Sequence, residues 1–370
     1  MPANTAAWYV AKQTKLEVKP APYTAPAEGE IVIRNRAVAI NPVDWAIPIL
    51  GSIMFPWIKC PTVLGEDLAG EVAEVGAGVT RFRVGDRVVA HAVGLNKDRN
   101  RASEGAFQIY SVVPAHMASP IPDALSYESA AVLPLGLSTA ACGLFQKDFL
   151  ALQHPSADAK PTGKTVLITG GATSVGCNAI QLAVAAGYEV FTTASPHNFN
   201  YVKSLGASQV FDYHGKTVAK DIIAALKGKT IAGALAIATG STGLCLDVVH
   251  ACPGDKFVAL AAAPISLGDA GSGGVLDIAR LLPKMLVGNI SAGFKSRTRG
   301  IRTKFIFGSS LVDNEVGAAI YVDFLPQALA DGRYIAAPPA LVAGSGLEAI
   351  QTGFEVQRKG MSAQKVVVSL

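Results

Sequence analysis

The segment Thr165–Cys177, TVLITGGATSVGC, constrains the fold more than any other, because an apolar run breaks onto two glycines and then continues as a helix. Val166, Leu167 and Ile168 predict a fully buried parallel strand; Gly170 and Gly171 supply a tight turn, and Ala172 to Gly187 is helix-permissive. The result is a βα unit whose helix start, with free N–H groups and the positive end of the dipole, forms an anion site suited to a dinucleotide pyrophosphate. Thr173 and Ser174 stand where the later glycines of a strict G-x-G-x-x-G would be. Glycine spacing alone therefore fits a tight turn between strand and helix equally well.

A second strand, Glu189-Val190-Phe191-Thr192-Thr193-Ala194, follows at the distance of a right-handed crossover. In NAD enzymes such a strand ends in a carboxylate, roughly 20 residues past the glycines, that binds the ribose 2′-OH. Here it ends in Ser195-Pro196-His197-Asn198, with Lys203 close behind. Hydroxyl, amide, imidazole and ammonium donors hold a 2′-phosphate that a carboxylate would repel, which favours NADPH. The competing reading has Asn198 capping a helix from Phe199 to Leu205.

At 370 residues, 50% of them apolar, the chain can bury a large core and should form about two domains. The net charge of +4 comes without a basic stripe, which argues against nucleic acid or a membrane surface as partner. No window approaches the roughly 18 uninterrupted apolar residues of a membrane span, and MPANTAAWYVAKQ lacks the pattern of a secretory signal. A cytoplasmic protein is expected. The five cysteines include no C-x-x-C pair, so neither a disulfide framework nor a zinc ribbon is indicated. The six histidines are scattered and read as surface or capping residues.

Residues 1 to about 150 carry short β-type runs separated by turn signals, among them Ile31–Ile33, Gly70–Val75, Arg87–Ala90 and Phe107–Val112, and imply an all-β barrel. From about 164 strands alternate with helices: Thr165–Thr169, Val190–Thr193, Gln209–Phe211, Ala234–Ile237, Phe257–Leu260 and Asn289–Ala292. Six such strands predict a doubly wound sheet. His154–Pro161 reads as the linker, Glu315–Asp331 as a helix and Lys365–Leu370 as a final strand.

In order and spacing, several segments resemble the medium-chain dehydrogenase/reductase superfamily. They are Ala39–Asp44, Gly65–Gly70, Val75–Val79, Val84–Val88, Glu104–Phe107, Leu133–Ala140 and the glycine turn itself. The resemblance covers essentially the whole chain. It implies an α/β fold with a Rossmann-type doubly wound parallel sheet at 156–309 and a GroES-like β-barrel catalytic domain at 1–155 and 310–370. Thr193–Phe199, with Gly206-Ala207 and Val210–Tyr213, is similar to fungal zinc-independent, quinone oxidoreductase-like enzymes that include trans-acting enoyl reductases of polyketide synthases.

The zinc alcohol dehydrogenases of the superfamily carry an early Cys, a Gly-His-Glu and a later Cys. This chain has Asn41-Pro42-Val43-Asp44 and Gly65-Glu66-Asp67 in the first two places, and no cysteine between Gly94 and Ser103, where a structural zinc would sit. No metal is expected. Without a Lewis acid, alcohol oxidation is disfavoured and hydride delivery to an activated C=C is favoured.

Carried over by position, the resemblance implies that Ala172, Thr173, Ser174 and Val175 cradle the pyrophosphate. Ser195, Pro196, His197 and Asn198 hold the 2′-phosphate, and Tyr213 lies beside the adenine. Leu260 and Ala261 approach the nicotinamide, Ser362 returns to touch the cofactor, and Val43, Asp44, Trp45 and Ala46 line the cleft beneath it. Leu135, Gly136, Ser138, Thr139 and Cys142 form the acyl channel. Related reductases often carry a Lys or Arg after the Asn-Pro-x-Asp element; Trp45-Ala46-Ile47-Pro48 offers none, and Asp44 reads equally as a turn or cap residue. No general acid is identified.

The cationic run Lys295–Lys304 reads as a solvated loop, or as a patch that steers a CoA or carrier-protein phosphopantetheine. Gly268–Gly274 reads as a loop over the site. The expected function is an NADPH-dependent, zinc-free reductase of an enoyl thioester or enone, free or bound to CoA or a carrier protein. The alternatives are quinone or aldehyde reduction and an inactive NADPH-binding protein.

Overall fold

The computed structural model describes residues 2–261 and 275–370. The chain forms two compact units, Met1–Ser138 with Ser309–Leu370, and Thr139–Gly308. The first boundary falls inside the helix Pro134–Phe145, so the linker expected near residue 155 belongs to the second unit. The return to the first unit comes at Ser309.

In the first unit the ten-residue strand Glu30–Ala39 organises the main sheet. It pairs antiparallel along its length with Asp67–Val75. Tyr110–Pro114 pairs with its first half, and the final strand Lys365–Ser369 pairs with its end, Val367 opposite Ala39. Val366, Val367 and Val368 are buried, so a β-branched run late in the chain lies inside the sheet, between Glu30–Ala39 and the edge strand Ala340–Ser345. Arg87–His91 and Ala118–Pro120 extend the sheet beyond Asp67–Val75. A smaller antiparallel sheet joins Glu17–Ala21, Asn4–Tyr9 and Thr62–Val63.

The second unit is a six-stranded, all-parallel sheet. Its spatial order is Gln209–Asp212, Glu189–Ala194, Lys164–Ile168, Thr230–Ala236, Phe257–Leu260 and Arg302–Phe305. Numbered by sequence within the unit, that order is 3-2-1-4-5-6, the dinucleotide-binding topology. Leu167, Phe191, Ile231, Ala234 and Val258 form its core with Leu246 and Val249 of the helix Thr242–Ala251.

The sixth strand differs from expectation. Asn289–Ala292 lies within the helix Val275–Thr298, and the edge strand is Arg302–Phe305, drawn from the cationic run. All four of its residues are exposed, so no buried face marks it in the sequence. Cationic side chains on an edge strand discourage further pairing. The run is accordingly not a loop. Lys295 and Arg297 occupy the last helical turn, where the dipole favours cations, while Arg299 pairs with Asp247 at 2.5 Å and Lys304 with Asp148. The glycine-rich segment 268–274 lies outside the described residues.

The expected helix Glu315–Asp331 is present as Glu315–Ala318 and Leu325–Ala330, joined through a π-helical turn, Ala319–Phe324. Among the described residues one helical stretch, Tyr127–Phe145, is long and apolar enough to cross a membrane. In the fold 78% of it is buried, as core helices are.

Candidate functional site

In the second unit, the turn after Lys164–Ile168 sits at the carboxyl end of the strand flanked by the second and fourth strands, the switch point where such sheets bind ligands. Gly170 has φ of +70°, which a side chain would oppose. Gly176 lies in the first turn of the helix Ser174–Ala185, and a Cβ there would stand 2.2 Å from the Gly170 carbonyl oxygen. Gly176 therefore fills the close-packing role that the spacing pattern had assigned to no residue.

Thr173 caps the helix: its hydroxyl accepts the Gly176 N–H at 3.0 Å and donates to the Gly170 carbonyl at 2.8 Å. The N–H groups of Ser174 and Val175 face outward from the first turn with no helical carbonyl behind them. The Ser174 hydroxyl is buried without a partner. Free donors at a helix start beside an orphaned hydroxyl fit a dinucleotide pyrophosphate.

Parallel pairing of Glu189–Ala194 with Gln209–Asp212 brings Ser195 and Tyr213 together off adjacent strand ends, with 3.1 Å between their hydroxyls. The Tyr213 ring is half exposed and lies against His214 at 4.0 Å. Asp212, the register partner of Ala194, directs one oxygen to the His214 N–H at 2.9 Å. Pro196 and His197 are exposed, whereas Asn198 is buried at the start of the helix Phe199–Ser204. Leu260 closes its strand, and the Ala261 N–H is bonded to the Ala236 carbonyl at 2.8 Å.

The first unit contains a buried charged network. Asp67, fully buried, accepts Lys365 Nζ at 2.5 Å and Asn41 Nδ2 at 2.7 Å on one oxygen, and the Leu135 N–H at 2.5 Å on the other. Lys365 also donates to Asn41 Oδ1 at 2.8 Å. Asn41 precedes the helix Pro42–Met54, and Asp44 returns to accept the Asn41 N–H at 2.7 Å. Asp44 is thus the cap that one of its two readings made it. It is fully buried, as is Ala46; Trp45 is buried too, donates to Gln357 and stacks beneath Arg358 at 5.3 Å. Of the four, only Val43 is partly exposed.

Burial, with Glu66 beside it, drives the Asp44 carboxyl well above the ordinary carboxylate range; the Asn41 N–H and Lys365 oppose that shift without cancelling it. The fold therefore binds a proton that the unfolded chain releases, so stability contributed here is lost as pH rises through the raised value. Asp44→Asn, neutral at every pH, should remove this dependence. Its unfolding free energy should gain on that of wild type with increasing pH, by up to about 1.4 kcal/mol per unit. Urea unfolding of both proteins from pH 5 to 9 checks this; parallel curves would refute it.

Close by are residues that sequence reasoning missed. His91, read there as a surface or capping residue, is wholly buried at the end of Arg87–His91, with Nε2 3.7 Å from Glu66 Oε1. No spacing pattern marks this pair, because it arises where adjacent strands bring distant residues together. The channel candidates lie along Pro134–Phe145: Gly136, Ser138, Thr139 and Cys142 are buried, and Leu135 is partly exposed. Ser138 Oγ meets Tyr321 Oη at 2.8 Å, and the Cys142 thiol donates to the Phe307 carbonyl at 3.4 Å. Ser362 is exposed shortly before the final strand. All five cysteines are free thiols.

A six-stranded parallel Rossmann sheet with an anion-ready turn defines a protein of dinucleotide-binding type. Residues 27–123 match the alcohol dehydrogenase GroES-like domain. The chain is 54% identical to dehydrogenase pigH of Monascus ruber over 100% of both chains. It is 47% identical to the zinc-binding alcohol dehydrogenase domain-containing protein cipB of Emericella nidulans, over 99% of this chain and 98% of that one. To the trans-enoyl reductase himH of Aspergillus japonicus it is 35% identical over 99% and 97%. Escherichia coli quinone oxidoreductase, solved with NADPH, shares the fold with a TM-score of 0.66 at 20% identity, over 100% of both chains. The chain belongs to the medium-chain dehydrogenase/reductase superfamily.

Proposed function

We propose that this protein is an NADPH-dependent, zinc-free reductase that saturates a C=C conjugated to a thioester or ketone. The observation that carries the reading is the donor set at the end of Glu189–Ala194, where Ser195 and Tyr213 converge and no carboxylate terminates the strand. A 2′-phosphate there gains charge-assisted hydrogen bonds. Bound at this turn, NADPH supplies a hydride. The Ser174 and Val175 N–H groups hold its pyrophosphate, and Thr173 keeps the helix start open by satisfying Gly176 from its own side chain. Asn41 and Glu66 stand where the resembled zinc enzymes carry Cys and His. Among the described residues no cluster of three His, Cys, Asp or Glu side chains can hold a metal ion. Reduction of an already polarised double bond needs no such ion, and the relative named trans-enoyl reductase supports that choice of acceptor.

The expected result is reduction of crotonyl-CoA or a simple enone with NADPH, unaffected by EDTA. NADPH should bind at least about 30-fold more tightly than NADH, corresponding to about 2 kcal/mol for two charge-assisted bonds. Equal dissociation constants in a fluorescence titration would reject the cofactor assignment. Turnover confined to quinones or aldehydes would reject the acceptor, and stoichiometric zinc would reject the metal-free chemistry.

A further inference from the structure

A cavity of about 530 Å³ lies in the first unit, bounded by Tyr9 and the residues that follow it, the helix Pro42–Met54 and the segment 58–60. That volume is in the range that holds a small molecule. The Gln13 N–H donates to the Pro48 carbonyl at 3.0 Å, which fastens the stretch after Asn4–Tyr9 to the helix. Gly51 leaves the helix side of the cavity open. Among the described residues a Cβ there would meet only Ile47, with Cγ2 at 3.2 Å.

The lining divides by chemistry. Ile47 is buried, Val10 and Ile58 are partly so, and they offer a hydrocarbon wall. Lys12 and Lys59 are exposed on the same cavity, and neither has a carboxylate partner among the described residues. No Asp or Glu among those residues lines it. The other polar groups are Tyr9, 3% exposed, and Cys60, whose thiol is hydrogen-bonded with the Tyr9 hydroxyl. Burial, with Cys60 beside it, pushes the Tyr9 phenol up to about 12, so it adds no negative charge at neutral pH. Two uncompensated ammonium groups on one cavity disfavour a cation and favour an anion. A bare inorganic ion would leave the hydrocarbon wall wet, whereas an apolar body covers it.

We propose that this cavity binds an amphipathic carboxylate, its hydrocarbon body against Val10, Ile47 and Ile58 and its head group held by Lys12 and Lys59. The head group gains charge-assisted hydrogen bonds from the two ammonium groups. The site is contained in the first unit and does not depend on the reductase reading.

Cys60 reports occupancy, because it is exposed while Cys142, Cys177, Cys245 and Cys252 are buried. Alkylation of the native full-length protein by iodoacetamide, followed by intact mass, therefore reads this cavity. Octanoate should slow Cys60 alkylation about tenfold at about ten times its dissociation constant, since only the empty site reacts. Octanamide, with the same body and no charge, and acetate, with the charge and no body, should give no protection at that concentration. Replacing Lys12→Gln and Lys59→Gln together should raise the octanoate concentration for half-protection by about tenfold or more. Gly51→Leu should fill the cavity and abolish protection, with the melting temperature kept because a helix interior accepts Leu better than Gly. Alkylation unaffected by millimolar octanoate overturns the site, and octanamide protecting as well as octanoate overturns the anion assignment. Protection that survives Gly51→Leu in a folded protein overturns the placement. If Gly51→Leu does not fold, the lysine variant, changed only at exposed positions, decides: unchanged half-protection overturns the proposal.

Discussion

Lys365→Met should destabilise the protein by about 3–5 kcal/mol, the usual cost of stranding one member of a buried ion pair. Asp67 is fully buried and Lys365 nearly so, at 0% and 4% exposure, and neither charge can retreat to water. The pair also ties four chain segments together: the start of Pro42–Met54 through Asn41, the strand Asp67–Val75, the backbone of Leu135 and the terminal strand. Adding Asp67→Asn removes the stranded charge, keeps an acceptor for Leu135 and should recover a large part of the loss. Urea unfolding of the two proteins, followed by a probe in the first unit, measures both steps. A single variant within about 1 kcal/mol of wild type would mean that water reaches Asp67 and that the pair is not buried in solution.

Gly176→Ala should disable the dinucleotide turn. Its Cβ would meet the Gly170 carbonyl oxygen at 2.2 Å and the Gly171 Cα at 2.8 Å, and both are backbone atoms that cannot rotate aside. Strand end and helix start must separate, which costs about 1–3 kcal/mol as overpacking does. The separation also displaces the Ser174 and Val175 N–H groups from a shared anion, so NADPH affinity should drop by more than about tenfold, or 1.4 kcal/mol. Thr173→Ala is the control, since it removes a cap worth about 1 kcal/mol and leaves the glycine contact intact. Fluorescence titration with NADPH compares the two; equal affinities in Gly176→Ala and wild type would show that the close approach is not needed for binding.

The parallel strands of the second unit could be read from the sequence because their residues are buried on both faces and form continuous apolar runs, as at Val166–Ile168. Arg302–Phe305 could not, since an exposed edge strand carries charges that look like a surface loop. Ser195 and Tyr213 were both named from the sequence. Their hydroxyl contact depends on parallel register, which no local pattern encodes.

The chain alone determined the two kinds of architecture and the strand–turn–helix at Gly170, because hydrophobic periodicity and glycine placement act over a few residues, while the superfamily came from the resemblance of its segments. Tertiary structure alone decided that Gly176 packs on Gly170, that Asp44 is a buried cap, and that His91 and Glu66 face each other with unpartnered polar atoms around them. The physical reason is that burial, and with it the cost of an unmatched charge or hydrogen bond, depends on what the fold brings within a few ångströms. For these residues that partner lies on another strand.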